Sequence, residues 1–218
     1  MDDSSEDWTD IGSRIRAARE AAGVSVRELG RRVGVSPSHI SQVERGLGSF
    51  SVSALYSVAS QLQISLDSLF DAPSPSAMRH HAEGPPSPLD GVLVLRATDR
   101  PAIKLKSGPR WERLTVDSEP DAEFLEVIYE PSAAGEEPEF SRHEGVEYGV
   151  IVSGVLSVQV GFDTAVLYPG DSIRLDSSQP HRYWNAGSAQ VRAIWFESRG
   201  ERASAGSRVP GSAPGHEH

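Results

Sequence analysis

Apolar residues recur at helical spacing through the first third of the chain. Ile11, Ile15 and Ala18 share one side of a helix predicted over residues 11–22, which Gly23 would end. Two more helices are predicted to begin after the capping residues Ser25 and Ser36, and two others cover residues 51–62 and 65–70. Five short helices within residues 11–70 predict a compact all-α domain.

The third helix, which follows Ser36, separates its residues sharply by polarity. Ile40 and Val43 lie on its apolar side, and its polar side carries Ser38, His39, Ser41, Gln42 and Arg45. So short a helix depends on its neighbours for stability, because isolated helices of this length are marginal in water. We therefore expect it to be held by the bundle and to present its polar side to another molecule.

The period of the pattern changes to two in the second half of the chain. A stretch rich in Pro and Ser, residues 71–90, predicts a linker, and a β domain is predicted over residues 91–199. The strand candidates are residues 92–95, 124–129, 148–152, 155–160, 172–175 and 191–196. Many short strands separated by turn signals indicate a sandwich or barrel. Residues 1–10 and 200–218 are expected to be disordered.

Charge is distributed unevenly between these parts. The formal net charge is -10, yet residues 11–70 hold seven Arg against four acidic residues, so the helical part carries +3 and the remainder -13. A basic module joined to an acidic one favours contact of the helical part with phosphates. The acidic start of the chain and the lack of a long apolar run predict a cytoplasmic protein without a signal peptide. There is no Cys, so any metal site must use His and carboxylates.

The helical part resembles the Cro/C1-type (XRE) helix-turn-helix family. The resemblance covers residues 11–70 and rests on Arg19, Gly23, Leu29, Gly34, Ser36, Ile40, Ser41, Glu44, Gly46 and the segment 62–69. It implies that the third helix enters the major groove of DNA, with Pro37, Ser38 and Gln42 towards the bases. Gln42 suits adenine, to which it can bond through two atoms.

The same resemblance implies further contacts and one structural pair. Ser36, His39, Ser41 and Arg45 complete the expected DNA-contacting set, with phosphates as the main partners. Val26 stands where the family often has Gln, so Arg27 is expected to supply that backbone contact. Arg19 and Glu44 are expected to form a buried ion pair. A single module makes few contacts, which predicts a homodimer that reads two half-sites.

Two His and one Glu in the β region have the composition of a metal site. His143 and Glu147 are four residues apart and would face the same side of a strand, and His181 could join them from another strand. Two imidazoles and one carboxylate form the facial set of non-haem iron, which also suits zinc or manganese.

Residues 91–197 resemble a cupin, which implies a double-stranded β-helix (jelly-roll) barrel. The spacing of Gly135, His143, Glu147 and Gly154 fits the first cupin motif, and residues 169–171 with 181–185 fit the second. Ser141 occupies the position of the first metal-binding His. The ligand set is thereby reduced to His143, Glu147 and His181, for one Fe, Zn, Mn or Ni ion. Ser141, Tyr148, Tyr183 and Trp195, with Trp184, are candidates for lining a ligand pocket.

Three interpretations of this β domain remain open. The three ligands hold a metal, the pocket binds an organic effector without metal, or the His residues are core residues bonded to Glu147. The layout as a whole resembles a common bacterial regulator type, in which a small-molecule effector would control DNA binding. It also resembles hydroxypropylphosphonic acid epoxidase, an iron enzyme, which keeps an oxygenase as the alternative. A scaffold protein is the third possibility.

Overall fold

The structure is a computed structural model that describes residues 4–70, 87–105, 108–119, 121–132 and 138–198. It contains a helical bundle followed by an antiparallel β domain. Most of the predicted linker and all of residues 200–218 lie outside the described residues. In the described part, no helix combines the length and the apolar character that crossing a membrane requires.

Within residues 4–70, four α-helices form the bundle: α1 Ser4–Ala21, α2 Val26–Val33, α3 Pro37–Val43 and α4 Val52–Leu62. Helices α2, α3 and α4 each begin after a Ser whose hydroxyl accepts a hydrogen bond from a backbone N–H three residues on. Helix α2 ends at Gly34, whose φ of 80° is the left-handed conformation that Gly adopts without strain. The bundle packs around Ile15, Leu29, Ile40, Phe50 and Leu55, which are fully buried.

Two expectations for the helical part were wrong. Helix α1 begins at Ser4 rather than Ile11, so it includes residues 4–10 of the segment that was expected to be disordered. Trp8 anchors this extension, because its side chain is buried and its Nε1 donates to the carbonyl of Lys104 at 2.8 Å. The expected fifth helix is a 3₁₀ helix, Leu66–Leu69, because the four-residue segment forms only i→i+3 bonds before it becomes extended at Phe70.

In the described residues of the β domain, nine strands form two sheets. The strands are β1 Ala102–Lys104, β2 Arg110–Arg113, β3 Ala122–Tyr129, β4 Val146–Ser153, β5 Leu156–Val160, β6 Asp163–Leu167, β7 Ser172–Asp176, β8 His181–Trp184 and β9 Val191–Ser198. The larger sheet has the order β1-β2-β3-β9-β4-β7 and the smaller one β6-β5-β8, and all neighbours are antiparallel. Alternate residues of β4 and β9 are buried, so the inner face of the large sheet forms the core of this domain.

The segment 92–95, expected to be a strand, is a turn. Gly91 has a φ of 73°, and the backbone N–H of Val94 donates to the carbonyl of Leu89, which closes the chain on itself. Val92 and Leu93 are consequently exposed. A short apolar run without turn residues inside it does not by itself distinguish a strand from an exposed loop.

The bundle packs directly against the β domain. Asp67 accepts a hydrogen bond from the backbone N–H of Glu119 at 2.9 Å and lies 3.8 Å from the guanidinium of Arg113. The backbone N–H of Leu66 donates to Glu123 at 3.1 Å. Asp67, Arg113 and Glu123 are all buried. These contacts fix the position of the helical domain relative to the large sheet.

Candidate functional site

The polar side of α3 lies open at the surface of the bundle. Ser36, Pro37, Ser38, Gln42 and Arg45 are exposed, as is Arg27 of α2, and His39 and Ser41 are half-buried. All eight residues of the expected DNA-contacting set therefore lie on or beside one helix whose other side is formed by the buried Ile40 and Val43.

Three of these residues have contacts that limit their freedom. The Ser36 hydroxyl accepts from the backbone N–H of His39 and lies 3.0 Å from the Ser38 hydroxyl. The His39 ring meets Phe50 edge-on, with 5.5 Å between ring centroids. Arg45 donates from Nε to the carbonyl of Ser41 at 3.0 Å. The surface is thus partly ordered before any partner binds.

A buried ion pair holds α3 against α1. Arg19 donates from Nε to Glu44 Oε1 at 2.5 Å and from Nη2 to Glu44 Oε2 at 3.0 Å. It also donates to the carbonyl of Val24. The hydrogen bonds to Glu44 raise the pKa of Arg19. Since Glu44 ends α3, this pair sets the position of the exposed helix, which is the role that the sequence resemblance implied.

Three elements bring the two His and the Glu of the β domain together. Glu147 lies on the inner face of β4, and His181 begins β8. Nε2 of His143 and Nε2 of His181 are each 3.0 Å from Glu147 Oε1. One donor atom from each residue falls within 4.8 Å of the others, which makes the three residues a possible metal site.

His143 reaches this position by a route that differs from the expected one. It precedes β4 instead of lying on the same strand as Glu147. Gly145, with a φ of 116°, turns the chain between the two residues. The backbone N–H of His143 donates to the carbonyl of Ser177, and the N–H of Ser177 donates to Gly145. His143 therefore reaches the candidate site from a loop, whereas the sequence pattern predicted that it lies on the same strand as Glu147.

The orientation of the donor atoms fits a metal. His181 Nδ1 lies 2.9 Å from the carbonyl of Gln179, and His143 Nδ1 lies 3.3 Å from that of Glu144, so a proton on each Nδ1 leaves the Nε2 lone pair directed inwards. His143 Nε2 and Glu147 Oε1 are buried and form no hydrogen bond of acceptable angle, although they are close. Two neutral imidazoles and one carboxylate are suitable ligands for a divalent transition metal.

Burial and neighbouring charges both act on the site. Burial raises the pKa of Glu147, but the two imidazoles outweigh it and hold that pKa far below the ordinary value. Burial lowers the pKa of His181, but Glu147 outweighs burial and raises it. Burial, together with the nearby carboxylates, raises the pKa of Tyr183, whose hydroxyl donates to Glu147 Oε2 at 2.8 Å. The Glu147 carboxylate is thus ionised, with an imidazole nitrogen on either side of Oε1 and the Tyr183 hydroxyl on Oε2.

A cavity of about 470 Å³ lies beside the three residues. Ser141, Tyr183, Trp184 and Trp195 line it. Ser141 exchanges two backbone hydrogen bonds with His181, which places it next to the triad. Tyr148 does not line the cavity: it follows Glu147 on β4, so its side chain is on the outer face of the sheet, where it is 45% exposed.

Tyr56 and Glu197 also line this cavity, and the sequence interpretation missed both of them. Tyr56 enters from α4, and nothing in the pattern of α4 distinguishes it from a residue of the bundle core. Glu197 lies on β9 two residues after Trp195, so strand alternation could have indicated it. Glu197 is directly opposite Glu123 on one side and Glu147 on the other, which gives a row of three inward-facing carboxylates across β3, β9 and β4.

Two family profiles match the chain. Residues 15–69 match the family described as Helix-turn-helix, and residues 125–197 match the family described as Cupin domain. An uncharacterized HTH-type transcriptional regulator of Mycobacterium tuberculosis is 48% identical over 59 residues, which are 27% of this chain and 42% of that protein. The chain matches between 29% and 42% of the length of the first three curated relatives.

Longer but weaker similarity extends over both domains. The HTH-type transcriptional regulator PuuR of Escherichia coli is 24% identical over 84% of this chain and 91% of its own length. The structure of an HTH_3 family transcriptional regulator from Vibrio cholerae covers 91% of this chain and 99% of that chain, with a TM-score of 0.66 and 19% identity.

A further similar structure, hydroxypropylphosphonic acid epoxidase from S. wedmorenis, has a TM-score of 0.43 at 20% identity and covers 87% of this chain and 97% of that one. Likeness at that level carries no conclusion about activity. The two profile matches coincide with the helical bundle and with the β domain that holds the His-Glu-His cluster. The chain thus combines a helix-turn-helix domain of the Cro/C1 type with a cupin domain.

Proposed function

We propose that the protein is a DNA-binding transcriptional regulator whose cupin domain responds to a small-molecule effector, with a divalent metal at His143, Glu147 and His181. The observation that carries the proposal is that two different helices of the bundle face the solvent and the cupin cavity. Helix α3 keeps its polar side exposed, whereas α4 contributes Tyr56 to the cupin cavity. One domain can therefore bind DNA while it remains in contact with a potential ligand site.

The DNA-binding part is tested by titrating duplexes that contain a selected operator at several salt concentrations. Counterion release predicts that log affinity falls linearly with log salt. Gln42→Ala should weaken binding by about 1–3 kcal/mol and relax the preference for adenine at one position. Gln61→Ala, an exposed Gln on α4, is the matched control and should have no effect. Failure to bind any duplex at low salt would contradict this part.

The metal part is tested by calorimetry and metal analysis on protein that lacks His216, Glu217 and His218, since that tail could bind metal adventitiously. We expect one divalent ion per chain in the wild type. Glu147→Gln should abolish binding, because it removes the anionic ligand between the two imidazoles. The adjacent exposed Glu144→Gln is the control and should bind normally. Unchanged binding in the Glu147 variant would show that the ion lies elsewhere.

The outer face of the large sheet supports the proposed homodimer. Phe124, Phe196 and Tyr148 form a row across β3, β9 and β4, and each is at least 40% exposed. Exposed aromatic clusters are typical of protein interfaces. Phe196→Glu should therefore produce monomers in sedimentation experiments. Phe162→Glu, at a fully exposed turn residue, should leave the dimer intact, and a monomeric wild type would refute the proposal.

An iron oxygenase is the alternative that the three-ligand set favours, because such a set leaves coordination positions for substrate and oxygen. Oxygen uptake is measured with ferrous iron and candidate substrates. Uptake that depends on both iron and a substrate would support the enzyme. Uptake no greater than that of the Glu147→Gln variant would support the regulator.

A further inference from the structure

Tyr56 crosses from the DNA-binding domain into the cupin cavity. Its ring stacks on the imidazole of His143, with 3.9 Å between centroids and 3° between planes. Its hydroxyl donates a hydrogen bond to Glu197, and its ring also lies 5.7 Å from that of Trp111. The side chain is buried by these contacts. A residue of helix α4 is therefore part of the wall of the ligand site.

The groups that Tyr56 touches are those a metal would affect. His143 directs Nε2 towards Glu147 and lies with Nδ1 4.0 Å from Glu197. Glu197 thus faces both the Tyr56 hydroxyl and the Nδ1 side of the same imidazole. The imidazole on which Tyr56 stacks belongs to the triad, and the carboxylate that Tyr56 binds lies 4.0 Å from the same imidazole.

We propose that Tyr56 is the positioning residue through which occupancy of the His143–Glu147–His181 site controls the docking of α4 on the cupin domain. A divalent ion on Nε2 withdraws electron density from the His143 ring, which strengthens its stacking on the electron-rich phenol. The Tyr56 hydroxyl, which donates to Glu197, holds the phenol in this stacked position. Metal should therefore stabilise the docked position of α4. This inference rests on the proposed metal and DNA binding.

Other described contacts between the domains are independent of the triad, including one from α4 itself, where the Ser53 hydroxyl donates to Glu139 at 2.9 Å. Trp8 donates to the carbonyl of Lys104, Asp67 accepts from the backbone of Glu119, and the backbone of Leu66 donates to Glu123. None of these bonds involves a metal ligand. They hold the domains together in the absence of metal, so loss of the Tyr56 contact should uncouple the domains without separating them. By thermodynamic linkage, if bound metal strengthens the docking of α4 by some factor, docking of α4 strengthens metal binding by the same factor.

The test is amide hydrogen exchange of the full chain with and without Zn²⁺, followed in residues 52–62. In the wild type, Zn²⁺ should slow exchange of α4 by about fivefold or more, the low end of usual coupling between sites. Tyr56→Ala should remove the Zn²⁺ effect, and Tyr56→Phe, which keeps the stacked ring but lacks the hydroxyl, should retain only part of it. Residues 26–33 of α2 provide the internal control and should not respond.

Tyr183→Phe is the matched variant, because it removes a phenol hydroxyl from Glu147 without touching α4. It should weaken Zn²⁺ binding by about 10–100-fold, yet at saturating Zn²⁺ it should slow α4 exchange as the wild type does. Equal Zn²⁺ protection in the wild type and Tyr56→Ala would overturn the inference. If Tyr56→Ala does not fold, full protection in Tyr56→Phe would do the same.

Calorimetry separates the possible failures. Zn²⁺ binding without any change in α4 exchange in the wild type overturns the inference alone and leaves the metal site standing. The absence of Zn²⁺ binding in the wild type overturns both the inference and the metal part of the proposed function. DNA affinity measured with and without Zn²⁺ gives a second readout, whose ratio should approach one in Tyr56→Ala.

Discussion

Two Arg residues of α1 form ion pairs that contribute differently to stability: Arg19 pairs with Glu44, and Arg16 pairs with Glu20. The Arg19 and Glu44 side chains are 10% and 6% exposed, whereas Arg16 and Glu20 are 57% and 54% exposed. Removing one partner of a buried pair leaves a charge in a poorly solvated site. Removing one partner of an exposed pair leaves a charge in water.

Arg19→Ala should therefore destabilise the protein by about 3–5 kcal/mol. Arg16→Ala should cost no more than about 0.5 kcal/mol, which makes it a matched control on α1. Urea unfolding, monitored by circular dichroism, gives the free energy of unfolding of both variants. Similar losses in the two variants would show that the buried position of Arg19 contributes nothing.

Glu126 makes stability depend on pH. Burial raises its pKa, but hydrogen bonds from Arg192 and Arg100 outweigh burial and bring the pKa below the ordinary 4.5. An acid whose folded pKa is lowered adds stability above its unfolded pKa and loses that contribution as the pH falls through the folded value. Glu126→Gln should thus reduce the loss of stability between about pH 5 and pH 3. Glu144 is exposed, so Glu144→Gln should lose stability with falling pH as the wild type does. Thermal melts across that pH range measure the stability of both variants.

Strand β4 shows how one element combines a proposed metal ligand with core residues. Glu147, Gly149 and Ile151 point inwards in alternation, and Gly149 lies opposite Trp195 of β9. A Cβ atom at Gly149 would lie 2.5 Å from the Trp195 ring, so only Gly lets the indole lie flat against the strand. The cavity wall depends on this absence of a side chain.

Gly149→Ala should accordingly displace Trp195, destabilise the cupin domain by about 1–3 kcal/mol and weaken metal binding at Glu147, two residues away. Gly48→Ala, where the new methyl group meets only ordinary contacts beyond 3.6 Å, is the control. Thermal melts and calorimetry measure the two effects. A Gly149 variant with wild-type stability would mean that Trp195 moves without cost.

The elements that the sequence predicted well are those with local signals. Ser36 followed by Pro37 specifies the start of α3, and Ser25 with Glu28 specifies that of α2. Strand β2 has no such signal, because three of its four residues are charged. Its buried residues Trp111 and Arg113 face Tyr56 and Asp67 of the bundle. Tyr56 could not be identified for the same reason: its partners come from another domain, about 90 residues or more along the chain for His143 and Glu197.

On the scale of the whole molecule, the two domains form a joint hydrogen-bonded interface. Asp67 and Arg113 are 1% and 3% exposed and come from opposite domains. Arg113 also donates to the carbonyls of Thr115 and Val116. The helical and β parts are therefore expected to unfold together, since neither can leave without exposing buried charge of the other.

Thermal unfolding of the wild type should give coincident transitions by helical circular dichroism and by tryptophan fluorescence. Asp67→Ala should separate them, with the helical signal lost first, because Arg113 then lacks its carboxylate partner across the interface. Asp163→Ala, at the exposed start of β6, should keep the transitions together. Separate transitions in the wild type would contradict the joint unfolding.

The row of Glu123, Glu197 and Glu147 limits how the barrel could be reused. Adjacent carboxylates on neighbouring strands repel one another, and two of the three are compensated by the helical domain, through the Tyr56 hydroxyl and the Leu66 amide. A chimaera that joins this barrel to a different DNA-binding domain would lose these two hydrogen bonds. Such a graft needs both donors transplanted along with the barrel, so the natural unit for engineering is the barrel together with α4 and the 3₁₀ turn.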